Sequence, residues 1–211
     1  MRRIVLVVGT LGLMVTAGST GAEAQRRQGY RIGNVNVRVV RGDLMKTPAK
    51  ALVTPINSGG PGLWNGKVDR VIMGTVGTGY HQQLNRKLPQ FGDLKTVVAR
   101  GTKQRGRNAF EHVVFVGDNL QSSLKKVVCS GLECASRAGF SSVSMPAMRM
   151  GVMRGAVERT TQDTMNGMVQ GIKRYAAKVG ASGTVRDVTI VVHSSQDTIN
   201  ALNTALGAAG R

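Results

Sequence analysis

The chain has 211 residues, 41% of them hydrophobic and only 4% aromatic, so one domain is expected, with a core of Val, Ile, Leu, Met and Ala. Lys and Arg outnumber Asp and Glu by 29 to 11, a formal charge of +18; this favours anionic partners and says nothing of the fold. Two cysteines and three scattered histidines are too few for a disulfide scaffold or a metal cluster, and the sparse aromatics argue against base stacking.

Residues 1–24 read as a secretory signal peptide: Arg2 and Arg3, an apolar run from Ile4 to Ala17, and Ala22-Glu23-Ala24 before Gln25. An extracytoplasmic (periplasmic or secreted) location is expected, the alternative being a retained N-terminal anchor. The run is short and broken by glycine, so no stable membrane insertion is expected after processing. Processing removes two arginines and one glutamate and leaves +17. Residues 25–30 form a basic lead-in, 31–206 the domain and 207–211 a tail.

Val35, Val37 and Val39 alternate with polar residues, which predicts a strand over 31–40. Gly42 and Asp43 end it. A short apolar strand at 51–54 is expected to stop at Pro55. A loop rich in glycine (Gly59, Gly60, Gly62, Gly66) hands over to a helix near Val68, with Val71, Ile72 and Val76 at helical spacing. A strand, a Gly-rich loop and a helix N-terminus in that order can cradle a phosphate with backbone N–H groups. Further strands are read at 96–99, 112–116, 141–145 and 185–192, and helices at 80–88, 122–137, 157–178 and 198–206. Cys129 and Cys134 share one helix and, at about 100° per residue, point roughly 140° apart, which predicts two free thiols. Ser195 or Asp197 caps the last helix.

Strands alternating with helices predict an α/β fold: a three-layer α/β/α sandwich around a central mixed, mainly parallel sheet of about six strands. Ligands of such sheets bind beyond the carboxyl ends of the strands. A second glycine-containing loop, 147–155, follows a strand and precedes a helix, so two loops could grip a diphosphate.

The ordered motifs resemble the macro domain family of ADP-ribose-binding modules, across residues 32–206. Arg41-Gly42-Asp43-Leu44 is similar to that family's Gly-Asp-Ile/Leu, and Pro48-Ala-Lys-Ala-Leu-Val to its approach to the next strand. Thr54-Pro-Ile-Asn57 stands where the family shows Asn-Ala-Ala-Asn. Asn65-Gly-Lys-Val-Asp-Arg-Val-Ile72 is similar to Gly-Gly-Gly-Val-Asp-Gly-Ala-Ile, Ser142-Val-Ser-Met-Pro-Ala147 to Ser-Ile-Ala-Phe-Pro-Ala, and Arg149-Met-Gly-Val-Met to Ser-Thr-Gly-Ile-Tyr. The resemblance implies that the chain binds ADP-ribose or a related adenine nucleotide diphosphate. Asp43, with Leu44 beside it, would meet the adenine amine, and Asn57 the distal ribose. Gly66, Lys67 and Val68 would form the first phosphate loop, Gly151, Val152 and Met153 the second, and His193 would flank the adenine.

The departures are specific. Thr54 and Pro55 replace family residues, Asn65 and Lys67 break the glycine run, and Arg149 replaces a small hydroxyl residue. Arg149 either clamps a diphosphate or else sits in solvent or pairs with Glu158; Asp43 either meets the ligand or caps its turn. Trp64 is either a plug or a wall of the site. Met145, Met148, Met150 and Met153 read as core filler. A hydrolase acting on ADP-ribosylated protein or nucleic acid, with Asn57 as its catalytic residue, is the second reading. A basic nucleic-acid-binding module is the third; for it the stretch from Lys103 to Arg107 is the local candidate and a solvated loop the bland alternative. A monomer without metal or other cofactor is expected.

Overall fold

A computed structural model describes residues 29–57, 66–87, 92–151 and 153–210. The expected signal peptide, most of the basic lead-in, Trp64, Asn65 and Val152 lie outside the described residues. The strands are β1 (Gly29–Ile32), β2 (Val35–Arg41), β3 (Ala51–Ile56), β4 (Thr96–Arg100), β5 (His112–Gly117), β6 (Ser142–Pro146) and β7 (Asp187–Val192). The α-helices are α1 (Lys67–Val76), α2 (Gly79–Asn85), α3 (Leu124–Arg137), α4 (Thr161–Val179) and α5 (Gln196–Ala209). Short 3₁₀ turns occupy Leu44–Lys46 and Gly180–Ser182.

The sheet has seven strands in the order β1-β2-β7-β6-β3-β5-β4. The five from β2 to β5 run parallel, and β1 and β4 close the two edges antiparallel. Side chains alternate across it. Ala51, Val53, Val114 and Val116 face one core, filled by α3, α4 and α5; Leu52, Ile56, Val113 and Phe115 face a second, filled by α1 and α2. That is the expected three-layer sandwich, with one strand more than the sequence reading allowed.

The extra strand comes from the segment read as one strand over 31–40. It is a hairpin, with Ile32 opposite Val35 across a two-residue turn at Gly33 and Asn34. Gly33 takes a φ of +59°, which a glycine adopts without strain. Pro55 does not end β3 either. Asp118 N donates to Ile56 O, so Ile56 turns its backbone groups to β5 and the preceding residue turns its own toward β6. There β3 pairs only at Ala51 and Leu52, so no donor is missed at Pro55.

Helix α4 starts at Thr161 and not at 157, because Thr160 and Asp163 form a reciprocal capping box. Helix α5 runs on to Ala209, into the expected tail, with Ser195 as its cap: the hydroxyl accepts from Thr198 N. Helices α3 and α4 meet closely at Gly171, where a Cβ would lie 2.6 Å from Val128 Cβ. Cys129 and Cys134 are free and buried, as the helical spacing predicts.

Candidate functional site

Register fixes what lies along the carboxyl edge. Arg41 pairs with Val192, Pro146 with Val191, and Ile56 with Gly117. The residues that follow these strands, Asp43, His193, Ala147, Asn57 and Asp118, therefore leave the sheet side by side. Backbone bonds hold the exits: Gly42 N to Val192 O at 3.0 Å, Ala147 N to Val191 O at 3.0 Å and Asp118 N to Ile56 O at 2.8 Å. Arg41 Nη2 donates to Ser194 O at 2.7 Å, tying the β2 and β7 exits together.

Asp43 caps its turn, one of the two readings of its sequence position. Its Oδ1 accepts from Met45 N at 2.9 Å and caps the 3₁₀ turn. The residue is exposed, and its second carboxylate oxygen has no partner among the described residues. Leu44 is half-buried and packs against the α1–α2 core.

Asn57 follows β3 directly and is half-buried. Gly66 is the N-cap of α1, and no side chain caps that end. A Cβ on Gly66 would lie 2.7 Å from Asp69 Oδ2, so a larger residue where the loop enters the helix would displace the Asp69 carboxylate. Lys67 is exposed, whereas Val68 packs against the α1–α2 core, so only its backbone is left for a ligand. Asp69 is buried in the first turn of α1, a favourable place for a carboxylate beside the helix dipole, and its Oδ1 lies 3.1 Å from His81 Nε2. His81 in turn sits edge-on to Phe115, ring centroids 5.0 Å apart.

Arg149 corrects the expectation of a diphosphate clamp. Its side chain is 1% exposed. Nε donates to Asp118 Oδ2 at 3.0 Å, and Nη2 to Asp118 Oδ1 at 2.6 Å and to Ser122 O at 2.7 Å. Nη1 donates to Glu158 Oε2 at 2.7 Å. Glu158 also accepts from Leu124 N at 2.8 Å through its other oxygen, so it caps α3 from another loop. Burial alone pushes the guanidinium's pKa down; the hydrogen bonds and charges of Asp118 and Glu158 outweigh it, and the net shift is up. Arg149 itself sits at φ 56°, a left-handed conformation costly for a residue other than glycine and held by these bonds. The side chain thus builds the loop after β6 instead of projecting from it.

Beyond Arg149, Gly151 is exposed and Met153 half-buried, so the stretch after the lock offers backbone at the surface. Met145 and Met148 are core residues, as expected. His193 is exposed at the end of β7. Sequence reasoning missed Asp118: the strands it singled out did not include β5. The available signal was an acid placed directly after a buried strand, Val113 to Gly117. Among the described residues no three His, Cys, Asp or Glu side chains gather where they could hold a metal ion, and no helix is long and apolar enough to cross a membrane.

No protein-family model matches this sequence, and no curated protein matches it. Solved structures do. An Oceanobacillus iheyensis macrodomain with ADP superposes with a TM-score of 0.65 at 15% identity, over 86% of this chain and 95% of that one. A variant of the same macrodomain with ADP-ribose bound gives 0.65 at 15% identity, over 86% and 97%. A Trypanosoma brucei macrodomain in complex with ADP-ribose gives 0.59 at 15% identity, over 81% and 69%. The chain has the macrodomain fold.

Proposed function

We propose that the carboxyl edge of the sheet binds ADP-ribose or a closely related adenine nucleotide diphosphate. The observation that carries this reading is the exposed Asp43 carboxylate at the end of β2, one oxygen uncommitted among the described residues, on a fold whose solved neighbours include macrodomains with ADP or ADP-ribose bound. Asp43 accepts a hydrogen bond from the exocyclic amine of adenine. Asn57 meets the distal ribose. The backbone at Gly66, Lys67 and Val68, at the N-terminus of α1, takes one phosphate, with the Lys67 ammonium adding charge. The backbone from Gly151 to Met153 takes the other, on a loop that Arg149 holds in place, and His193 flanks the base.

Binding is favoured over hydrolysis. Asp69 is held by His81, and Asp118 and Glu158 are held by Arg149, so these three acids are committed to internal contacts. Thermal melting tests the reading. ADP-ribose at a hundred times its Kd adds about 2.7 kcal/mol of stability, which raises Tm by roughly 5–10 °C for a domain of this size. Ribose 5-phosphate, which lacks the base and one phosphate, leaves Tm unchanged. No rise with millimolar ADP-ribose overturns the proposal.

A further inference from the structure

The chain's excess positive charge is a surface property, because its acids are used up inside. Of the described acids only Asp43, Asp163 and Asp197 are exposed, and Asp43 and Asp163 cap a turn and a helix. The cations are exposed almost throughout. One group of them sits on a built element at the amino edge of the sheet, the end opposite the nucleotide site. The connector from β4 to β5 presents Lys103, Arg105 and Arg107, all exposed and none in an ion pair among the described residues.

This connector is locked from within. Asn108 is buried; its Oδ1 accepts from Gln104 N at 2.8 Å and its amide donates to Phe110 O. Arg107 N donates to Gln104 O at 2.9 Å, and Gly106 turns the chain at φ +74°. Phe110 is wholly buried, and Ala109 N donates to Met45 O at 2.7 Å, stitching the connector to the turn before β3. Arg100 pairs with His112 at the adjoining strand ends. Exposed Lys50 extends the patch, and the acid within it, Glu111, lies 3.5 Å from Lys50 and 3.8 Å from His112.

We propose that this locked connector is a second binding surface, which docks the phosphodiester backbone of nucleic acid. Strands of five or six residues separate the strand ends at the two edges by about 20 Å, and the Asp43-capped turn, whose Met45 O accepts from Ala109 N, lies between them. None of the three cations is buried, so the connector has no enclosed seat for a single phosphate; it offers repeated charge, which suits a polymer. Its aromatic, Phe110, is unavailable for stacking, so contact is with phosphates and carries no base preference. The exposed large hydrophobics, Val71 and Val157, lie on α1 and on the β6–α4 loop, so the patch lacks the apolar wedge of a membrane-surface element. His112 reports the local field: its pKa is lowered by burial and then by Arg100, Glu111 opposing and Lys50 adding to the effect.

The test is fluorescence anisotropy of a labelled 20-base-pair DNA duplex and a 20-nucleotide single strand, titrated between 50 and 200 mM NaCl. The full chain is compared with Lys103→Gln/Arg105→Gln/Arg107→Gln and with a charge-matched control on the helical face, Lys125→Gln/Lys126→Gln/Lys173→Gln. The expected result is salt-sensitive binding that the connector variant weakens about tenfold or more, with a log–log salt slope shallower by about two to three. The control stays near the parent, thermal melting stays unchanged in both, and the His112 pKa, followed by NMR, rises in the complex. Absence of binding, equal loss in the two variants, or uptake by phosphatidylglycerol vesicles with the oligonucleotides ignored overturns it.

Discussion

Arg149 grips Asp118 through two parallel hydrogen bonds, of 3.0 and 2.6 Å, joining the loop after β6 to the exit of β5 across the strand that lies between them, β3. The pair is desolvated on both sides, with side chains 1% and 0% exposed. Removing Asp118 leaves Nε and Nη2 of Arg149 without a carboxylate, and removing Arg149 leaves both Asp118 and Glu158 without their cation; removing Asp118 and Arg149 together leaves Glu158, which still accepts from Leu124 N.

Asp118→Leu and Arg149→Met are therefore each expected to cost about 3–5 kcal/mol of stability. The double variant Asp118→Leu/Arg149→Met should lose clearly less than the two single losses added together. Urea unfolding of the four proteins measures the cycle. Additive losses would mean that the two side chains do not act as a pair.

The loop that Arg149 builds was only half legible in the sequence. Glu158 was foreseen as a partner because it lies nine residues away on the same loop. Asp118 lies 31 residues away, and nothing local marks a contact that only the sheet order creates. The same competition moved the start of α4: Glu158 is drawn to Arg149 and to Leu124 N, and the capping box at Thr160 takes over. The β1–β2 hairpin was missed for a different reason. Apolar alternation runs through Val35, Val37 and Val39, but Ile32 is out of phase with it, and that shift across Gly33-Asn34 was the turn signal. The elements whose pattern is purely local, α3 and β5, were placed to within two residues at their ends.

Gly171→Ala sets two known effects against each other. Alanine in a helix interior gains about 1 kcal/mol over glycine. The added Cβ, however, would lie 2.6 Å from Val128 Cβ and 2.9 Å from the Lys125 carbonyl oxygen, and backbone cannot yield cheaply. Overpacking of this kind costs about 1–3 kcal/mol. The expected net result is a lower urea midpoint, and a rise would show that α3 and α4 can part without loss.

Cys129 is a protected thiol. Burial and its hydrogen bond to Glu133 push its pKa up to about 11. At pH 8 on the order of one thiol in a thousand is ionised, so alkylation by iodoacetamide should be negligible in the folded protein and rapid in urea. Between pH 9 and about 11 the unfolded chain releases this proton while the folded chain keeps it, so stability falls as pH rises through that window. Alkylation at equal rates in folded and unfolded protein would contradict the packing of α3.

Export makes its own prediction. Intact mass of the protein recovered from its natural host should correspond to a chain beginning at Gln25, after loss of residues 1–24. A mass that retains Arg2 and Arg3 would mean the segment stays attached.

The central claim is that Asp43 recognises the base of a bound adenine nucleotide diphosphate, and isothermal titration calorimetry of the parent chain and Asp43→Ala with ADP-ribose tests it most directly. The account predicts one-to-one binding by the parent. Loss of a charge-assisted hydrogen bond, about 1.5–3 kcal/mol, should weaken Asp43→Ala by roughly 10- to 150-fold. No binding by the parent, or equal affinity in the two proteins, would contradict it.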